Sequence, residues 1–157
     1  MNPNAAPENE SLFSVKEFIH LLWSNFNLAE KTGIQGQDCD LEMFSYGRKK
    51  GWLEDEDERY CENPVNRRTG ARIIHQFMKT ELKIPDIQDI QQAEVLKDLY
   101  TCHSCANHVA QVYLREFFKP EEFEWDGKAC LIFNHLEEME KKEAENIILQ
   151  IKGIVLN

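Results

Sequence analysis

The sequence predicts an all-α, or nearly all-α, domain of short helix-loop-helix units arranged as a pseudo-repeat, and three observations predict it. The stretch NPVNRRTGARIIHQFMKTELK, residues 63–83, sets Ile73, Ile74, Phe77, Met78 and Leu82 on one face at helical spacing, behind Asn66 or Thr69 as a cap. A loop, a short polar triplet and an apolar helix recur at 12–28 (LFSVKEFIHLLWSNFNL) and at 133–151 (FNHLEEMEKKEAENIILQI). Recurrence in fixed order is the mark of a divergent repeat. Strand signals, meanwhile, are few along the chain.

The elements follow in order. Residues 1–10 are polar and proline-bearing, a disordered lead, and 11–157 read as a single helical domain. A helix from Ser11 or Ser14 to about Leu28 turns Phe18, Ile19, Leu22, Trp23 and Phe26 inward. Gly33 and Gly36 mark a loop, and Leu41 to Lys50 form a second helix that Gly51 ends, after which Trp52 and Leu53 return to the core. The acidic run LEDEDERYCE alternates carboxylates at Asp55 and Asp57 but lacks the central glycine and the twelfth-position Glu of a calcium loop, so it reads as a solvated loop. After the 63–83 helix, Pro85 prevents continuation. Ile87, Ile90, Val95, Leu96 and Leu99 then suggest a short helix or a pair of turns over 86–101. His103 to Phe118 is expected as a helix stopped by Lys119 and Pro120. The stretch EEFEWDGKACLIF, with its Asp126-Gly127 turn, is expected as a bend or extended pair rather than a sheet. A last helix begins near Met139 or Glu140, with GIVLN as a short apolar tail.

Composition narrows the functions. With 157 residues the chain can bury a core without staples, and 18 Lys plus Arg against 28 Asp plus Glu give a net charge of -10. Nucleic acid and anionic membrane would be repelled and are not expected as partners. No apolar run approaches the roughly 20 residues that span a bilayer. The start MNPNAAPENE lacks the basic and apolar regions of a secretory signal, and the odd number of cysteines, 5, argues for a reducing compartment. The expected location is the cytoplasm.

Two groups of residues can carry chemistry. Cys102, Cys105 and His108 in CHSCANH are spaced by three, so a helix would align them, and thiolate and imidazole ligands suit zinc with a fourth from Cys130, Cys61 or His103. Structural cysteines and a thiol-redox pair are the competing readings. Arg67, Arg68 and Arg72 lie near a helix start, where with free backbone amides they can hold an anion. Pairing with the acidic loop Glu54 to Glu58 is the alternative. His20 and His75 read as boundary residues of amphipathic helices. No nucleophile with a base, phosphate loop or catalytic carboxylate pair is identifiable, so an enzyme is not expected.

Segments 39–82 and 96–151 resemble S-layer homology units, and 12–28 resembles the tail of a truncated third. In the second unit Leu96-Lys97-Asp98-Leu99 stands at the FxDV-like start, Cys105-Ala106 at the Trp-Ala position, Asp126-Gly127 at the turn and 133–144 (FNHLEEMEKKEA) at the final helix motif. In the first, Cys39 takes the tryptophan position, Gly51 the terminal glycine and Val65-Asn66-Arg67 the Ile-Thr-Arg triplet. The triplet arginine corresponds to Lys141 in the last helix and to Val15 in the first. The stretch DLYTCHSCANHVAQVY is also similar to a segment of clostridial proteins in which such helices precede a rhodanese-like domain. The resemblance implies a non-enzymatic module, without cofactor, that recognises a protein or an anionic cell-wall polysaccharide, with Arg67, Arg68, Arg72 and Lys141 as ligand residues and the cell surface as an alternative location. An arginine suits that task because its planar fork can chelate a carboxylate. The alternative function is a small zinc or thiol-redox protein using Cys102, Cys105 and His108.

Overall fold

The computed structural model of the chain describes residues 12–35 and 40–156. The lead at 1–10, Gly36 and Cys39 lie outside them. Helix α1, Val15–Asn25, starts where the Ser14 hydroxyl accepts the Glu17 amide at 3.1 Å. It ends earlier than expected because Asn27 adopts φ 55°, which turns the chain into the short α2, Leu28–Thr32. Helix α3, Asp40–Lys50, closes with the amides of Gly51, Trp52 and Leu53 all donating to the Gly47 carbonyl. That turn drives Trp52 and Leu53 into the interior. The acidic run, expected as a loop, contains one helical stretch, α4, Asp55–Arg59, whose start is tied by the Glu54 amide donating to Asp57 Oδ2 at 2.8 Å.

Helix α5, Arg67–Thr80, is capped by Asn66, which accepts the Thr69 amide at 2.8 Å, and it buries Ile73, Ile74, Phe77 and Met78. Residues 86–101 hold 3₁₀ turns at Gln91–Val95 and Leu99–Thr101, and a third at His103–Cys105 leads into α6, Ala106–Leu114. The expected helix to Phe118 stops short because Glu116 takes φ 62°. Phe117 and Phe118 are nevertheless buried. The final helix α7, Lys141–Leu156, runs through most of the stretch expected as a tail.

The fold is mixed α/β, which corrects the all-α expectation. Strands β1, Glu121–Trp125, and β2, Lys128–Ile132, pair antiparallel with Phe123 opposite Cys130 and Trp125 opposite Lys128. The turn between them has positive φ at both Asp126 (52°) and Gly127 (74°), the conformation whose twist matches a two-residue hairpin. The alternation in EEFEW is real but has no buried face to sharpen it, since all five residues of β1 are exposed.

The buried side chains form one cluster, in which Trp52 meets Phe77 edge-on at 5.0 Å between centroids. Beside it, the segments leading into α1, α5 and α7 lie next to one another. Val15 N donates to Asn63 O and Val65 N to Phe13 O, each at 3.0 Å. On the other side Met139 N donates to Val65 O and Arg67 N to Glu137 O, each at 2.8 Å. The stretch 64–66 is therefore bridged by Ser14 on one flank and Glu138 on the other. Gly70 permits this approach, because a Cβ there would sit 2.7 Å from the Met139 sulfur. Among the described residues, no helix is long and apolar enough to cross a membrane.

Candidate functional site

Polar or exposed aromatic side chains gather at three places: the corner where the helices start, the cysteine–histidine region, and the hairpin. At the corner, Arg67 points inward and is 5% exposed. Its Nε donates to Phe133 O at 2.8 Å, Nη1 to Glu143 Oε2 at 2.9 Å and Nη2 to Lys119 O at 2.8 Å. The guanidinium lies 4.9 Å from the centroids of both Phe118 and Phe133. Burial raises the Glu143 pKa, while the charge and hydrogen bond of Arg67 pull it back. Arg68 Nε donates to His135 Nδ1 at 3.0 Å. Arg72 grips Asp57 with two bonds, at 2.5 and 3.0 Å. Burial works against the Arg72 charge, and the Asp57 carboxylate outweighs it, so its pKa is raised.

The amides that open α5 are equally committed. Arg67 N reaches Glu137 O, Arg68 N reaches His135 O, and Thr69 N reaches the Asn66 side chain. The three arginines and the first-turn amides thus knit the 133–137 segment and the acidic run onto α5. Pairing with the acidic run, the alternative role of the arginines, holds for Arg72. The arginines do not converge with Lys141, which is exposed and lines a separate cleft of 440 Å³ with Ser14, Lys16, Glu17, His20 and Glu62. Asp98 completes the anchoring: its carboxylate accepts the amides of Phe133 and Asn134, both at 2.7 Å.

Cys102 and Cys105 are joined by a disulfide with Cα atoms 5.2 Å apart, and His108 is turned to another task. Its Nδ1 lies 2.7 Å from His75 Nδ1, and His75 Nε2 lies 2.7 Å from Asp86 Oδ1. A neutral His75 donating to Asp86 leaves its Nδ1 to accept the proton of His108. Burial, then the neighbouring His75 ring and the Arg72 guanidinium, hold the His108 pKa down from 6.5 to about 4. The chain Asp86–His75–His108 ties α5 to α6. His75, expected at a boundary, is buried at 4% exposure. Cys61 and Cys130 are both half-buried, and the Cys130 thiol donates to Phe123 O at 3.1 Å. Among the described residues, no group of three or more His, Cys, Asp or Glu is arranged to hold a metal ion. Zinc on Cys102 and Cys105 would first require their reduction.

The third place, the hairpin, has no counterpart among the site residues that the sequence suggests. It carries Phe123 and Trp125 at 43% and 64% exposure on one face, with ring centroids 6.2 Å apart. These rings, with Cys130 and Ile132, border a cleft of 350 Å³ closed on its other side by Lys97, Asp98 and Thr101. The available signal was the i, i+2 spacing of two aromatics beside a DG turn. Comparison with protein-family models, curated proteins and solved structures finds no match to this chain.

Proposed function

We propose that the chain is a non-enzymatic interaction module that recognises a protein through the surface of its β1–β2 hairpin. The observation supporting this is the pair of exposed aromatic rings at Phe123 and Trp125, beside a cleft, in a protein that buries its other tryptophans, Trp23 and Trp52. Exposed aromatics of this size are costly to leave in water and are the side chains that anchor protein interfaces. A relation to S-layer homology units remains part of the proposal, supported by the adjoining starts of α1, α5 and α7. Recognition of an anionic glycan draws support from Lys141 alone, because the three arginines are spent on internal partners. The test immobilises the native chain beside a Phe123→Ser/Trp125→Ser variant and challenges both with cell lysate and with purified wall fragments. A protein retained by the native chain and lost from the variant is the expected result. Equal retention by both would overturn the hairpin as the recognition surface, and retention of wall fragments alone would favour the glycan.

A second reading, a thiol-redox protein, is favoured by one specific observation, the Cys102–Cys105 disulfide at the start of α6. Titrating thiols before and after a mild dithiol reductant tests it. A pair that resists reduction until the chain unfolds would refute a redox role.

A further inference from the structure

The open edge of β1 has a polarity that selects its partner. In the two-stranded sheet the edge of β2 away from β1 is taken by the 96–97 segment, because Lys97 N donates to Leu131 O at 2.9 Å and Leu96 bridges Leu131 in parallel. That bond shows the Leu131 carbonyl facing away from β1. Glu122 is the residue opposite Leu131, so its own N–H and C=O face away from β2, and by the alternation of an antiparallel ladder those of Glu124 do the same. Among the described residues, no strand covers that side. Edge strands of this kind are ready templates for an added strand.

The charge on the edge decides which strand can be added. From Glu121 to Ile132 the hairpin carries Glu121, Glu122, Glu124 and Asp126 against a single Lys128. Glutamates along an edge repel a second copy of the same acidic strand, the usual guard against self-association. They do not repel a basic one. The side chains of Glu122 and Glu124 share one face of β1, and Phe123 and Trp125 share the other. An extended segment that alternates Lys or Arg with aliphatic residues meets both faces at once.

Resting on the reading of the hairpin as a protein-recognition surface, we propose that the free edge of β1 binds an extended, basic peptide segment of a partner protein as an added strand. Its backbone pairs with the outward amides and carbonyls of Glu122 and Glu124, its cations lie over those two carboxylates, and its aliphatic residues cover Phe123 and Trp125.

Trp125 is the exposed tryptophan of the 3 in the chain, so its fluorescence reports occupancy. The full chain is titrated with an acetylated, amidated heptapeptide alternating lysine and valine. Controls are the glutamate–valine counterpart and a lysine–valine peptide N-methylated at alternate positions, prepared in both registers so that one of them blocks the amides facing β1. The expected result is a saturable shift with the lysine peptide, weakened about fivefold to tenfold by Glu122→Gln/Glu124→Gln and by high salt, and lost with one N-methylated register. Glu124→Pro removes an outward amide without touching the β1–β2 ladder and is expected to abolish binding. Equal binding of the acidic peptide, equal binding of both N-methylated peptides, or no shift at all would overturn the proposal, and the peptide arms decide even if the proline variant does not fold. Absence of peptide binding alongside hairpin-dependent capture of a protein would remove only the added-strand mode. Absence of both would remove the recognition reading itself.

Discussion

Replacing Arg67 with alanine tests whether this arginine is an internal strut or a ligand group. The substitution strips hydrogen bonds from two carbonyls, Phe133 O and Lys119 O, and leaves the half-buried Glu143 carboxylate without its cation. Breaking a buried ion pair by removing one partner costs about 3–5 kcal/mol. The lower end applies here, because Glu143 retains 25% side-chain exposure and can be partly rehydrated. The two aromatic faces at 4.9 Å lose a further stacking partner. A loss of about 3 kcal/mol is expected, and with a urea slope near 2 kcal/mol per molar the midpoint falls by about 1.5 M. Arg67→Lys keeps the charge but not the fork, so it recovers only part of that loss. Glu143, already raised by burial, titrates higher still in either variant than in the native chain, most of all with alanine. Urea unfolding followed by far-UV circular dichroism measures the shift. A midpoint change equivalent to under about 1 kcal/mol, with ligand capture lost, would refute the strut and return Arg67 to the ligand surface.

Other outcomes follow from the same contacts. The His108 pKa of about 4 lies below its ordinary 6.5, so unfolding takes up a proton between those values. Stability from this ring is complete above about pH 6.5 and is lost as pH falls toward 4, by a ceiling of about 3 kcal/mol that solvent at the partly exposed ring reduces to about 1–2 kcal/mol. Comparing native chain with His108→Asn across that range isolates the effect, and parallel pH profiles would contradict it. Gly70→Ala forces Met139 aside and is expected to cost about 1–3 kcal/mol in thermal melts, and less when introduced into a Met139→Ala background, where the clashing sulfur is gone. A variant as stable as the native chain would show that the corner yields freely. Cys102→Ser opens a loop with a sequence separation of only 3, so chain entropy limits the loss to about 2 kcal/mol. A variant that fails to fold would give the disulfide a larger structural part than its loop allows.

What the sequence determined by itself was local. The apolar face of α5 and its Asn66 cap, the stop at Gly51, and the turn at Asp126-Gly127 all rest on neighbours within a few residues, which is the range over which helical period, capping and turn geometry operate. The sheet is not legible in the sequence because a strand exposed on both faces lacks the buried stripe that sharpens alternation, so the turn signal stands there without a sign of its ladder. The fate of the arginines was beyond any local rule. Arg67 reaches Lys119, Phe133 and Glu143, which are 52, 66 and 76 residues away, and nothing in the triplet around it distinguishes a side chain turned outward from one turned in. Only the tertiary structure decided that, because the folded chain gathers those oxygens into one desolvated spot where a planar cation is the group that satisfies them. The same holds for His75 and His108, whose shared proton depends on α5 lying against α6.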